Sequence, residues 1–113
     1  MRINHVTILV KDKNVSRKFY TEILGFESKE IGGRLWIKIG EQYLHITENS
    51  GVPVPNTFYH FAIEIDNLTD YKINLKNKGI NIFDFSDDNL QNFLRDTDGN
   101  LIELIDVNDD FFK

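Results

Sequence analysis

The sequence contains no cysteine among its 113 residues. That excludes a disulfide scaffold, a cysteine-ligated zinc or iron–sulfur site and a cysteine nucleophile, and it leaves imidazole nitrogen and carboxylate oxygen as the strong metal donors. Proline is scarce: both prolines fall in one stretch, Asn49-Ser50-Gly51-Val52-Pro53-Val54-Pro55-Asn56, which reads as a linker. A surplus of positive charge is missing too. The 13 basic and 18 acidic residues leave a formal net charge of −5, which disfavours a nucleic-acid module, because phosphate binding rests on clustered Lys and Arg. No apolar run approaches the roughly 18 residues that span a bilayer, and Met1-Arg2-Ile3-Asn4-His5 shows no secretory apolar core. The expectation is a cytoplasmic protein with neither nucleic acid nor membrane as partner. What is present is ordinary: 41% apolar and 27% charged residues in one domain's length of chain, enough to bury a core without metal or disulfide.

The linker divides the chain into halves that match in outline. The first opens with the β-branched run Ile3-Asn4-His5-Val6-Thr7-Ile8-Leu9-Val10; Asp12 follows, then a helical stretch with Val15, Phe19 and Ile23 four apart, stopping at Gly25. The second opens with Phe58-Tyr59-His60-Phe61-Ala62-Ile63-Glu64-Ile65; Asp66 follows, then Leu68, Tyr71 and Leu75 on one helical face, stopping at Gly79. Asp12 to Gly25 and Asp66 to Gly79 are the same spacing, and glycine suits a left-handed helix stop. Three short strands are expected after each helix, near 26–31, 34–39 and 42–48, and near 80–85, 90–95 and 100–106, with Asp98-Gly99-Asn100 as the last turn. The predicted fold is α+β, two β-α-β-β-β modules in a single domain over 1–113: module one 1–49, linker 50–57, module two 58–107 and an acidic, aromatic tail 108–113.

Strand side chains alternate between faces. Val6, Ile8 and Val10 should pack on the first helix and Tyr59, Phe61, Ile63 and Ile65 on the second. His5, Thr7 and Leu9 then point the other way, as do His60, Ala62 and Glu64. In the last strand of each module, Leu44 and Ile46 flank His45, and Ile102 and Leu104 flank Glu103. All three histidines thus occupy repeat-related positions facing away from the helices, and the fourth such position is Glu103. One histidine on such a face is ordinarily a hydrogen-bonded core residue. Three imidazoles and a carboxylate together are a divalent-metal set, open enough for catalytic Zn, Fe, Mn, Ni or Co.

On these residues the chain resembles the vicinal oxygen chelate superfamily, which groups glyoxalases, ring-cleaving dioxygenases, fosfomycin resistance proteins and bleomycin resistance proteins. The resemblance spans about residues 2–106. It rests on Asn4-His5-Val6-Thr7, Arg17-Lys18-Phe19-Tyr20-Thr21-Glu22-Ile23-Leu24-Gly25-Phe26, Tyr59-His60-Phe61-Ala62-Ile63 and Asp96-Thr97-Asp98-Gly99-Asn100-Leu101-Ile102-Glu103-Leu104. The family usually has Pro at the position of Thr97. The resemblance implies modules curling around a metal held by His5, His60 and Glu103, with His45 at the fourth-ligand position of glyoxalase-like members. It also implies a homodimer, and a metal that stabilises an oxyanion on a substrate chelated through neighbouring oxygens, with Glu103 moving a proton between adjacent carbons.

Further residues face the same side. Arg34, Trp36 and Lys38 alternate with Leu35, Ile37 and Ile39 and with Tyr43 should form a cationic, aromatic wall for a small anionic or carbonyl substrate; otherwise Arg34 and Lys38 are solvated and Trp36 is packing. Glu64 reads as a solvated residue at the mouth or a second base, and Thr7 matches a threonine used by fosfomycin-modifying relatives. The leading expectation is a metal-dependent, glyoxalase-like lyase or isomerase. The alternatives are an Fe(II) dioxygenase, a fosfomycin-modifying enzyme and a metal-free, antibiotic-sequestering protein of the bleomycin resistance type.

Overall fold

The computed structural model of the chain describes residues 1–49, 57–86 and 90–109. Most of the expected linker, residues 50–56, and the tail residues 110–113 lie outside the described residues. In chain order the elements are β1 (His5–Val10), α1 (Lys13–Lys18), a π-helical stretch (Phe19–Ile23), β2 (Glu27–Ile31), β3 (Arg34–Ile39), β4 (Gln42–Glu48), β5 (His60–Ile65), α2 (Leu68–Asn77), β6 (Asn92–Arg95) and β7 (Leu101–Asp106). The described residues form two compact units. One contains β1 to β4 with the turn Asp96–Asn100, and the other contains β5, α2, β6 and β7. No described helix is long and apolar enough to cross a membrane.

The first unit is a four-stranded sheet in the order β1-β4-β3-β2, with β1 parallel to β4 and the other pairs antiparallel. Alternation sets its register. Ile8, Val10, Leu35, Ile37, Leu44 and Ile46 are all buried, and a slip of one residue on any strand would turn that strand's core residues to water, at about 1.5–3 kcal/mol for each fully buried side chain. Asp12 caps α1 by accepting from the Asn14 and Val15 N–H groups at 2.9 and 3.3 Å. The buried face of the helical segment differs from the expected one. Phe19 is buried as foreseen, but Val15 is 48% exposed, and Ser16, Tyr20 and Leu24 are the other buried residues. The buried face keeps the four-residue repeat but sits one residue on from the expected one, with Phe19 common to both; beyond it the Leu24 N–H reaches back five residues to the Phe19 carbonyl at 3.0 Å, the wider hydrogen bond of a π-helical turn. Gly25 ends the segment at φ +85, where a β-carbon is strained.

The second unit has β7 at the centre of its sheet, parallel to β5 and antiparallel to β6. Ile63, Ile65, Leu68, Leu75, Phe93, Leu94, Leu101, Ile102 and Leu104 form its core. The cap of α2 is Asn67, in the left-handed conformation at φ 51, accepting from the Asp70 N–H at 3.3 Å; it stands one residue past Asp66, whereas Asp12 itself caps α1. The strand expected near 80–85 shrinks to a single bridge, Phe83 with Phe93. The Asp84 carboxylate accepts from the N–H groups of Ser86 and Gln91 at 3.1 and 3.0 Å, and this side-chain turn competes with a continued ladder. Tyr59 precedes β5 and is 89% exposed rather than packed on the helix.

Candidate functional site

The two parallel strand pairs share one register. In the first unit His5 lies opposite Tyr43 and Thr7 opposite His45. In the second His60 lies opposite Leu101 and Ala62 opposite Glu103. In each, the first donor residue stands two positions before the residue that faces the second. The repeat inferred from the sequence is therefore a repeat of backbone register, and it brings together His5 with His45 and His60 with Glu103.

The pairs differ in how their side chains are held. In the second unit His60 Nε2 stands 3.4 Å from Glu103 Oε1, with the side chains 23% and 15% exposed. His60 Nδ1 lies 2.8 Å from the Phe58 carbonyl. A carbonyl only accepts, so Nδ1 carries the proton, and in the neutral ring Nε2 presents its lone pair beside the carboxylate. A cation relieves that meeting of two acceptors, and 3.4 Å between donor atoms is a spacing that bonds of about 2.0–2.2 Å can bridge. In the first unit the His5 and His45 ring centroids are 6.1 Å apart at 78°. His5 Nδ1 lies 2.9 Å from Asn4 Oδ1, which again leaves Nε2 as the free donor atom. His45 stacks on Trp36, centroids 4.3 Å apart at 16°, a contact that contributes about 0.5–1.5 kcal/mol beyond its buried area. Burial, then the charge of Arg34, then His5, hold the His45 imidazole below its ordinary pKa, so its neutral, metal-binding form persists into mild acid. These side chains are of the right chemical type for a divalent cation. Among the described residues, no group of three or more His, Asp or Glu side chains is gathered tightly enough to hold a metal ion.

The other expected residues fall on the same faces as the pairs. Across β1, β4 and β3, Thr7, His45 and Trp36 form one row, and His5, Tyr43 and Lys38 the next. Trp36 meets His5 edge-on at 5.0 Å and Tyr43 at 6.0 Å. Arg34 is exposed and Lys38 half-buried. Glu64 is exposed, four residues along β5 from His60 and on its face.

The sequence reading missed an aromatic cluster in the second unit. His60 packs edge-on against Phe93 at 5.3 Å and Phe58 at 5.0 Å; Phe85 packs on both phenylalanines at 5.0 Å, and Phe83 on Phe85 at 5.3 Å. Arg95 lies over the Phe83 ring at 5.8 Å. Phe93 is fully buried, whereas Phe58 and Phe85 are more than half exposed. Parity could have placed Phe58, two residues before His60, on this face. Phe83 and Phe85 were assigned to a strand that does not form.

The family model described as the Glyoxalase/Bleomycin resistance protein/Dioxygenase superfamily matches residues 2–104. None of the curated proteins compared with the chain matches it in sequence. Solved structures do. A glyoxalase family protein of Bacillus anthracis is 26% identical with a TM-score of 0.79, over 92% of this chain and 93% of that one. TnmS3, an antibiotic binding protein from Streptomyces sp. CB03234, shares the fold at 19% identity and a TM-score of 0.75, over 94% and 95% of the two chains. The trypanothione-dependent glyoxalase I of Leishmania major does so at 24% and 0.71, over 94% and 86%. With its paired modules and a family match over nearly its whole length, the chain belongs to the Glyoxalase/Bleomycin resistance protein/Dioxygenase superfamily.

Proposed function

We propose that the protein is a metal-dependent enzyme of this superfamily, a glyoxalase-like lyase or isomerase acting on a small oxygenated substrate, with His5, His45, His60 and Glu103 as metal ligands in a homodimer. The observation that carries the reading is the 3.4 Å approach of His60 Nε2 to Glu103 Oε1 while His60 Nδ1 is committed to the Phe58 carbonyl. A divalent cation held there supplies Lewis-acid polarisation of two neighbouring substrate oxygens. The chain's own residues do the rest. Asn4 and the Phe58 carbonyl fix the tautomers of His5 and His60, as outer partners of ligating imidazoles do. Glu103 is the carboxylate placed to move a proton between adjacent substrate carbons, with Glu64 on the same side of β5 as a solvated neighbour. Arg34 and Lys38, beside Trp36 and Tyr43, offer positive charge to an anionic or carbonyl group, and Thr7 offers a hydroxyl next to His45.

A second reading, a metal-free antibiotic-sequestering protein, is favoured by the exposed Phe58 and Phe85 rings and by the likeness to TnmS3. Elemental analysis separates the two. The enzyme reading expects about one divalent ion per chain in the wild type and loss of it in His60→Ala and Glu103→Ala. Wild-type protein that is metal-free and refractory to reconstitution with Ni, Zn, Mn, Co and Fe overturns the enzyme reading. Thioester formation from methylglyoxal with a panel of thiols then tests the reaction class, and absence of turnover with every metal rejects glyoxalase chemistry. Sedimentation tests the homodimer.

A further inference from the structure

The three histidines lie on the strand faces that carry the proposed ligands in their own units, and two of them have a hydrogen-bond partner that sets the ring. Asn4 Oδ1 accepts from His5 Nδ1 at 2.9 Å, and the Phe58 carbonyl accepts from His60 Nδ1 at 2.8 Å. The third ring, the His45 imidazole, makes no hydrogen bond among the described residues. A ligating imidazole has to present one nitrogen in one direction, and its free torsions do not ensure this. His45 instead lies flat on the Trp36 indole, 4.3 Å between centroids and 16° between planes.

We infer that Trp36 is a positioning residue for His45, its indole fixing the plane of this imidazole where a hydrogen-bond acceptor orients the rings of His5 and His60. The inference rests on the reading of His45 as a metal ligand. Trp36 is itself well placed to act as a fixed plane. It stands directly opposite His45 in the β3–β4 ladder. Its Nε1–H points to the Ile31 carbonyl on β2, at 3.4 Å. Its edges meet His5 at 85° and Tyr43 at 80°. Backbone register, one polar contact and two edge contacts thus determine the plane, and the plane determines the His45 ring. The indole face that covers His45 is spent on that contact and is not offered to a substrate, so Trp36 acts through His45 more than as a wall of the substrate site.

The test is Co²⁺ binding to the full-length protein, followed by visible absorption, in the wild type, Trp36→Leu and Trp36→Phe. Removing the planar partner in Trp36→Leu should weaken Co²⁺ binding about 10-fold or more, the scale of outer-partner losses at metal sites. Trp36→Phe keeps an aromatic plane and should restore most of the affinity. In a His45→Ala background, Trp36→Leu should add no further loss, because the two residues act as one unit. Equal affinity in wild type and Trp36→Leu, or the same loss with His45 absent, overturns the inference. A nuclear magnetic resonance measurement on metal-free wild type needs no variant: the stack requires the His45 ring protons to be shifted upfield by the indole, and unshifted signals reject it. Failure of the wild type to bind Co²⁺ at all would reject the metal reading while leaving this ring-current result to decide the stack.

Discussion

Replacing Tyr20 by Phe removes one hydroxyl from a fully buried side chain and leaves its shape. The hydroxyl donates to Asp96 Oδ2 at 2.8 Å. The Asp96 carboxylate, 7% exposed, also accepts from the N–H groups of Asp98 and Asn100 at 2.9 and 2.8 Å and from the Asn100 side-chain amide at 2.9 Å. Three of four donors survive in the variant, so the turn persists. What is lost is one hydrogen bond to a buried charged group, about 1.5–3 kcal/mol. The loss depends on pH. Burial pushes the Asp96 carboxyl above its ordinary range, while hydrogen bonds from Asn100 and Tyr20 pull it back down. A raised folded pKa means that the folded state holds the proton more tightly. Its contribution to stability is therefore full below the unfolded value of about 3.9 and fades as pH rises through the folded value. Without the hydroxyl the folded value rises further. Wherever Asp96 is ionised in both proteins the variant suffers the whole loss. As pH falls through the raised values both become protonated, and the difference shrinks toward a neutral hydrogen bond's 0.5–1.5 kcal/mol. Urea unfolding from pH 7 down toward pH 4, read by circular dichroism, measures this directly. A difference under about 0.5 kcal/mol at pH 7 refutes the reasoning, and so does one that grows as the solution is made more acid.

His45 should titrate below 6.5 in a nuclear magnetic resonance pH series, and Arg34→Ala should move its midpoint upward, because removing a nearby cation eases protonation; a midpoint at or above 6.5 in the wild type contradicts the local electrostatics. Gly25→Ala should cost about 1–2 kcal/mol, the penalty of a left-handed L-residue: nothing lies within 4 Å of the added β-carbon, so the cost is conformational, and a thermal melt identical to the wild type's would show that the stop tolerates a β-carbon.

Much of the architecture could be read from alternation alone. Period-two patterning fixes which face a residue occupies, and that was enough to put His5, His45, His60 and Glu103 on equivalent positions, which the two parallel registers bear out. What went unread was local competition for backbone hydrogen bonds. The five-residue reach from Leu24 to Phe19 has no side-chain signature, and the helical face expected at Val15, Phe19 and Ile23 lies one residue on, at Ser16, Tyr20 and Leu24, with Phe19 common to both. Asp84 diverts the N–H groups of Ser86 and Gln91 from a ladder, although Phe83 and Phe85 have the composition of a strand.

The same distinction separates the two donor pairs. Their backbones are equivalent, but strand parity says only that an imidazole leaves the correct face, not which nitrogen it presents. That depends on residues at unequal distances along the chain: Asn4 beside His5, Phe58 two before His60, and Trp36 nine before His45 but opposite it across the β3–β4 ladder. Two of these partners choose a tautomer by accepting a proton, and the third chooses only a plane. A stack leaves either nitrogen of His45 free to be the donor atom, whereas Asn4 and the Phe58 carbonyl leave Nε2 alone. Of the four proposed ligands, His45 is therefore the one whose donor atom is least constrained before a cation arrives, and the one whose contribution to affinity should depend most on the aromatic plane beneath it.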